Sequence, residues 1–235
     1  MSHPVVRRAL EEGRGSLLEW EAYELCAAYG IPHAPWELAQ DEEEAVAAAR
    51  RLGNPVVLKV VSPDVLHKSE VGGVLVGLEG ELAVREGFRR LREELTRRAP
   101  GARWAGVLVQ PLVRGSVEVA VGGLRDPQFG PVVMVGSGGV WVEVLRDVAF
   151  RLAPLDREEA LRQIRETQCS RLLQGVRGRP AADVEALAEV VVRVGDLVAG
   201  EPEVQELDLN PVVAGPEGCC AVDARAVLRA AAHTS

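Results

Sequence analysis

Residues 56–74, VVLKVVSPDVLHKSEVGGV, constrain this chain more than any other stretch. The apolar run VVLKVV is too short for a helix and reads as a buried strand with one lysine, Lys59, at its centre. It opens into a polar loop at 62–70 and closes on Gly72 and Gly73, after which VLVGL reads as a returning strand. Lys59 and Lys68 are the only two lysines in 235 residues, against 25 arginines. A chain that uses arginine for its surface cations, yet keeps two lysines nine positions apart in one strand and loop, points to a site that wants a compact ammonium. Chance placement accounts for the same pair.

Helix and strand signals flank this hairpin. Ser16 with Glu19 forms a capping-box pattern before a helix through Leu25 and Tyr29, which Gly30 and Pro32 end. After a short strand at 36–38, Asp41 and Glu44 start a helix through AVAAARRL that stops at Gly53 and Pro55. Val84, Phe88, Leu91 and Leu95 mark one face of a helix over 81–98. GVLVQPLV is a strand, and the alternation of SVEVAVGGL exposes Glu118 and Ala120 on one face. A run rich in Gly, Pro and Val follows, then helices over 156–168 and 182–199. The end reads as strand, turn, strand and, through RAVLRAAA, helix. A boundary near 113–116 divides the chain into regions 1–113 and 114–235.

The apolar content, 47%, is ample for a core. No run approaches a membrane span and MSHPVVRRALEEGRG lacks the apolar centre of a secretory signal, which predicts a cytoplasmic protein. Cys26, Cys169, Cys219 and Cys220 have neither zinc spacing nor the density of a disulfide framework and read as free thiols. A net charge of −8 argues against a general nucleic-acid binder, but leaves room for small anions held by local cations or a metal.

A second cluster lies near the end. In VQELDLNP the strand period places Glu206, Asp208 and Asn210 on one face and Leu207 and Leu209 on the other. If the turn pairs Gly215 with Gly218, Asn210 stands opposite Asp223, and the converging oxygens suit magnesium. The pattern fits equally an outward face that is simply solvated. His67, beside Lys68, is a loop imidazole of the kind that can carry a proton or act as a nucleophile, although most loop histidines do neither. Gly72, Gly73, Gly136, Gly138 and Gly139 permit close approach to phosphate, and tight turns explain them as well. No GxxxxGK[ST], GxGxxG after a strand, GxSxG or HExxH is present.

Taken in order, SPDVLHKSEVGGV, VLVQPLVRGSVEVAVGGLRDPQFGPVVMVGSGGVWVEVLRDVAFRLAPL, LLQGVRGRP and ELDLNPVVA resemble the beta subunit of the ADP-forming acyl-CoA synthetases, the acetate–CoA ligases that make ATP from an acyl-CoA, ADP and phosphate. The resemblance spans nearly the whole chain. It implies an α+β, ATP-grasp fold with nucleotide between two lobes, 1–113 with a phosphohistidine loop and 114–235 with a magnesium site. By the same resemblance Lys59 contacts nucleotide phosphates, Val109, Gln110 and Leu112 form the hinge beside adenine, and Glu118 holds the ribose. Asn210 and Asp223, with Asp208 nearby, match the Mg2+ ligands, and His67 matches a transiently phosphorylated histidine. Lys68 is read as its charge partner. The implied partner is an alpha subunit with CoA-binding and acyl-transfer domains, in a heterotetramer, with ADP/ATP as substrate. A succinate–CoA ligase beta chain and a nucleotide-sensing module without turnover are the alternatives. The joint presence of Lys59, His67, Asn210 and Asp223 argues against the sensor.

Overall fold

The computed structural model describes residues 2–115, 117–139, 147–175 and 180–229. The chain divides into two compact units, one formed by 34–113 and the other by 1–33 together with 114–235.

In the unit 34–113, four antiparallel strands lie in the order β1 (Glu37–Ala39), β4 (Gly106–Pro111), β2 (Val56–Val61), β3 (Val74–Leu78). Helices α3 (Glu42–Leu52) and α4 (Gly80–Arg98) are amphipathic and cover one face. Asp41 starts α3 as expected, its carboxylate accepting from the Glu44 N–H at 2.9 Å, and Gly53 ends it with φ of 93°, a conformation glycine adopts without strain. Ala45, Val46, Ala48 and Ala49 of α3 and Val84, Phe88 and Leu91 of α4 close on Val56 and Leu58 of β2 and Val107 and Val109 of β4. Full burial of each larger side chain there contributes roughly 1.5–3 kcal/mol.

The other unit is built on a six-stranded sheet. Its antiparallel path is β10 (Arg225–Leu228), β8 (Val204–Gly215), β5 (Val117–Asp126), β6 (Gly130–Ser137), β7 (Val148–Leu152), with β9 (Gly218–Ala221) paired to β8. Helix α7 (Val184–Gly200) packs on one face so closely that a Cβ at Gly123 would lie 2.4 Å from Val198 Cγ1. Helix α5 (Arg157–Glu166) is fastened to the same sheet by Gln163, whose amide donates to the carbonyls of Val133 and Ala149. A short helix, α6 (Cys169–Leu173), lies between them in a stretch the sequence pattern left as a connection.

Four expectations are corrected. Residues 1–33 do not join 34–113. Helices α1 (Pro4–Glu11) and α2 (Glu19–Ala28) are tied instead to the end of the chain: Leu17 N–H donates to Ala226 O, Leu228 N–H to Gly15 O, and Tyr29 OH to Glu201. Those bonds also explain why RAVL is a strand. Its edge is wanted by β8 and by the 15–17 segment, and Ala226 and Leu228 alternate into the core, so sheet pairing overrides the helical propensity of an Ala- and Arg-rich run. The rest of that expected helix, 230–232, lies outside the described residues, as do Ser116 and most of VWVEVLRD. The capping pattern is displaced: α2 begins at Glu19, its N-cap is Leu18, and Glu21 Oε2 accepts from the Leu18 N–H at 2.9 Å, while Ser16 bridges to Val227. Ala120 is buried rather than exposed.

Candidate functional site

Lys59 takes its setting from the strand period. Val56 and Leu58 point into the helix-covered core, so Lys59 points to the opposite face of the sheet. Its register partners are Leu108 and Val74, and Gln110, opposite Val57, shares that face. Lys59 is buried, 5% exposed, and Gln110 is 2% exposed. The Lys59 ammonium thus lies on the face of the sheet opposite α3 and α4. Of the residues implied as a hinge, Val109 has its side chain committed to the core, so only its backbone is available for a ligand. Leu112, half-buried just past β4, donates its N–H to Pro55 O at 2.9 Å.

The loop after β2 is shaped by short-range bonds. Ser62 Oγ accepts from the Asp64 N–H at 3.2 Å, and residues Lys68–Val71 form one 3₁₀ turn that starts at His67 and ends on Gly72 with φ of 65°. His67 is exposed and Lys68 is half-buried. Both therefore stand on the loop beyond the strand that holds Lys59. Arg98 of α4 reaches the Glu70 carbonyl at 3.4 Å.

In the other unit, three sequence-predicted positions meet. Leu207 and Leu209 of β8 pair with Gly123 and Val121, on the side that α7 covers, which sends Glu206 and Asp208 to the other face. Beyond Leu209 the ladder slips: Val119 pairs with Val212 and Val121 with Leu209, so Asn210 and Pro211 both oppose Ala120. This bulge re-aims Asn210. Asn210 Oδ1 accepts from the Gly139 N–H at 2.8 Å, and the Gly138 N–H donates to Glu118 O at 3.0 Å. Glu118 is exposed, and a Cβ on Gly139 would lie 2.9 Å from its Oε2. Glu118, Gly139 and Asn210 thus form one corner.

The hairpin register runs as expected from Gly215 opposite Gly218 to Val212 opposite Ala221. The Val222 N–H then donates to Pro211 O at 3.0 Å, which brings Asn210 and Asp223 to either side of that bond. Asp208 is the register partner of Arg225, whose guanidinium pairs with Glu206. Among the described residues no three His, Cys, Asp or Glu side chains cluster closely enough to hold a metal. The set Asp208, Asn210 and Asp223 nonetheless fits Mg2+. It offers hard oxygen donors, it supplies the few protein ligands that ion uses, and the Asn210 carbonyl retains an acceptor lone pair beyond the Gly139 bond.

Two features were not singled out in the sequence. Asp147 is buried and accepts from Ser137 Oγ at 2.7 Å and from the Gln168 N–H at 2.8 Å, so it braces the end of β6 that leads to Gly139. Asp64 is paired with Arg103 across 39 residues. A lone aspartate in a loop carries no signal of such a partner.

The ATP-grasp domain family model matches residues 8–228. The beta subunit of the ADP-forming acetate–CoA ligase I of Pyrococcus furiosus is 43% identical over 95% of this chain and 96% of its own length. A dinucleotide-forming acetyl-coenzyme A synthetase 1 of Ca. Korarchaeum cryptofilum, solved with coenzyme A and Ca-AMPCP, is 49% identical and superposes with a TM-score of 0.92 over 95% of this chain and 97% of that one. Another structure of that enzyme holds coenzyme A and Mg-AMPPCP with its phosphohistidine segment pointing towards the nucleotide-binding site, at 46% identity and a TM-score of 0.83 over 96% and 98%. The chain belongs to the ATP-grasp family and, within it, to the group of the ADP-forming acetate–CoA ligase beta subunits. Among its described residues no helix is long and apolar enough to cross a membrane.

Proposed function

We propose that this chain is the nucleotide-binding, phosphoryl-transferring subunit of an ADP-forming acyl-CoA synthetase, acting with an alpha partner that binds CoA and makes the acyl phosphate. The observation that carries this reading is the placement of His67: an exposed imidazole at the start of a 3₁₀ turn, on the loop that leaves the strand holding buried Lys59. A strand fixes a charge, and a loop can bring a carrier to it.

Phosphate from the acyl phosphate passes to a histidine of the partner, then to His67, then to ADP. In the last step the N–P bond of phosphorylated His67 breaks and its electron pair stays on the ring nitrogen. A β-phosphate oxygen of ADP forms the new P–O bond, and a proton on the other ring nitrogen leaves the imidazole neutral. Such a transfer depends on positioning and charge neutralisation more than on covalent help from the protein. Lys59 holds phosphate oxygens, with Lys68 as the charge partner of His67. Gln110 and the backbone of Val109 and Leu112 border the adenine. Glu118 receives the ribose hydroxyls, at the corner where Gly138 and Gly139 press against it. Asp208, Asn210 and Asp223 hold Mg2+, which when bound offsets the charge of the phosphates. The partner's presence, a heterotetramer and a cytoplasmic setting belong to the same reading, and the four free cysteines agree with a reducing compartment.

The test is a comparison of the native chain with His67→Ala in complex with the partner. Turnover and acid-labile phosphate on the chain should vanish, with ADP affinity by calorimetry unchanged. Equal turnover of the variant defeats the relay.

A further inference from the structure

The loop that holds His67 is tied down at both ends. Upstream, the Asp64 carboxylate takes three hydrogen bonds from one residue, Arg103: from its backbone N–H at 2.8 Å, from Nε at 3.0 Å and from Nη2 at 2.8 Å. These bonds hold the Asp64 carboxyl down at about 2, so the clamp stays charged throughout the neutral range. Downstream, Gly73 donates to Lys68 O at 2.7 Å and accepts from the Val60 N–H at 2.8 Å. A Cβ at Gly73 would lie 2.4 Å from Val60 Cγ1, so this anchor is set directly on β2. Between the anchors His67 and Leu66 are exposed.

We infer that Asp64 and Arg103 are positioning residues for the phosphoryl carrier: their clamp is the fixed pivot about which residues 65–72 swing His67. The inference rests on the reading of His67 as carrier. With the Gly73–Lys68 bond and the 3₁₀ turn opened, the eight residues 65–72, fully extended, give about 27 Å of chain out and back, hence a reach of about 13 Å. Without the clamp the upstream anchor retreats to the end of β2, the reach grows to about 18 Å, and the arc loses its direction. Group transfer needs reacting atoms about 3–3.5 Å apart, and a misplacement of about 1 Å can cost about 100-fold. A pivot therefore serves transfer even though it serves stability little. The Arg103 side chain is 68% and the Asp64 side chain 36% exposed, and pairs so open to water contribute weakly to folding.

That contrast supplies the test. The full chain is phosphorylated on His67 with phosphoramidate and mixed with Mg-ADP in a single-turnover assay of ATP formation. Asp64→Asn and Arg103→Ala should each slow transfer by about tenfold. The double variant should be no slower than either single one, and Asp64→Glu should recover part of the rate. ADP affinity and melting temperature should match the native chain. Native transfer rates in the single variants, multiplicative losses in the double one, or a rate loss explained by weaker ADP binding or a lower melting temperature would each overturn the inference. If phosphorylated native chain makes no ATP, the carrier reading fails. Hydrogen exchange then judges the clamp alone: the Glu70 and Gly72 amides, bonded to His67 O and Ser69 O, should exchange faster in Asp64→Asn, and unchanged exchange rejects it.

Discussion

Asn210 Oδ1 accepts a hydrogen bond from the Gly139 N–H at 2.8 Å, which ties the bulge in β8 to the glycine turn that leaves β6. One carbonyl thus anchors backbone and, in the proposed site, holds magnesium. The first role requires that Gly139 come close, and it does so with φ of 62°.

Gly139→Ala should disturb this corner without unfolding the protein. A side chain at that φ costs about 1–2 kcal/mol, and its Cβ would meet Glu118 Oε2 at 2.9 Å. We expect ADP affinity, by calorimetry with Mg2+, to fall about tenfold, in line with that cost. Native affinity would separate Glu118 from the ribose.

The metal assignment has its own test. Loss of Asn210 and Asp223 together, as alanines, should abolish the Mg2+ dependence of turnover in the reconstituted complex. A double variant that still responds to Mg2+ places the ion elsewhere.

Lys59→Arg preserves charge but not shape. The guanidinium is planar and wide, and position 59 lies on an inner strand between Leu108 and Val74 with 5% exposure. ADP binding should weaken by about tenfold, which corresponds to about 1.4 kcal/mol. Unchanged affinity would remove any meaning from the scarcity of lysine.

Much of the fold was legible because it is local. The β2–β3 hairpin, the Asp41 cap and the apolar face of α4 all follow from periods and caps within about twenty residues. The hairpin register from Gly215 to Val212 did so too. What escaped was non-local. Nothing in RAVLRAAA announces that 15–17 will pair with it, and nothing in Asp64 announces Arg103. The same holds within the site. Strand period alone puts Ala120 beside Glu118 on an exposed face, yet Ala120 is buried, and the slip that sets Asn210 and Pro211 both opposite it carries no local signal.

Gly73→Ala should destabilise the unit 34–113. Its Cβ would fall 2.4 Å from Val60 Cγ1 and 2.8 Å from Lys68 O, and overpacking of this kind costs about 1–3 kcal/mol. Since Val60 is the nearer obstacle, Val60→Ala in the same chain should recover part of the loss in urea unfolding. No recovery would assign the clash to the Lys68 carbonyl.

Glu21 is 1% exposed. Burial pushes its carboxyl up, but hydrogen bonds from Arg14, from the Leu18 N–H at 2.9 Å and from Arg8 at 3.1 Å more than reverse this, leaving its pKa below the ordinary carboxylate value. A group depressed on folding stabilises the native state above its unfolded pKa, about 4.3, and that contribution is lost as pH falls through the folded value. Glu21→Gln removes the charge and leaves the nearly buried Arg14 with Glu12 as its remaining carboxylate partner. The variant should be less stable than the native chain at pH 7, and the gap should narrow steadily as pH falls below about 4.3. Urea midpoints of both proteins between pH 7 and pH 3 measure that gap, and a constant difference would show that the Glu21 carboxylate makes no pH-linked contribution.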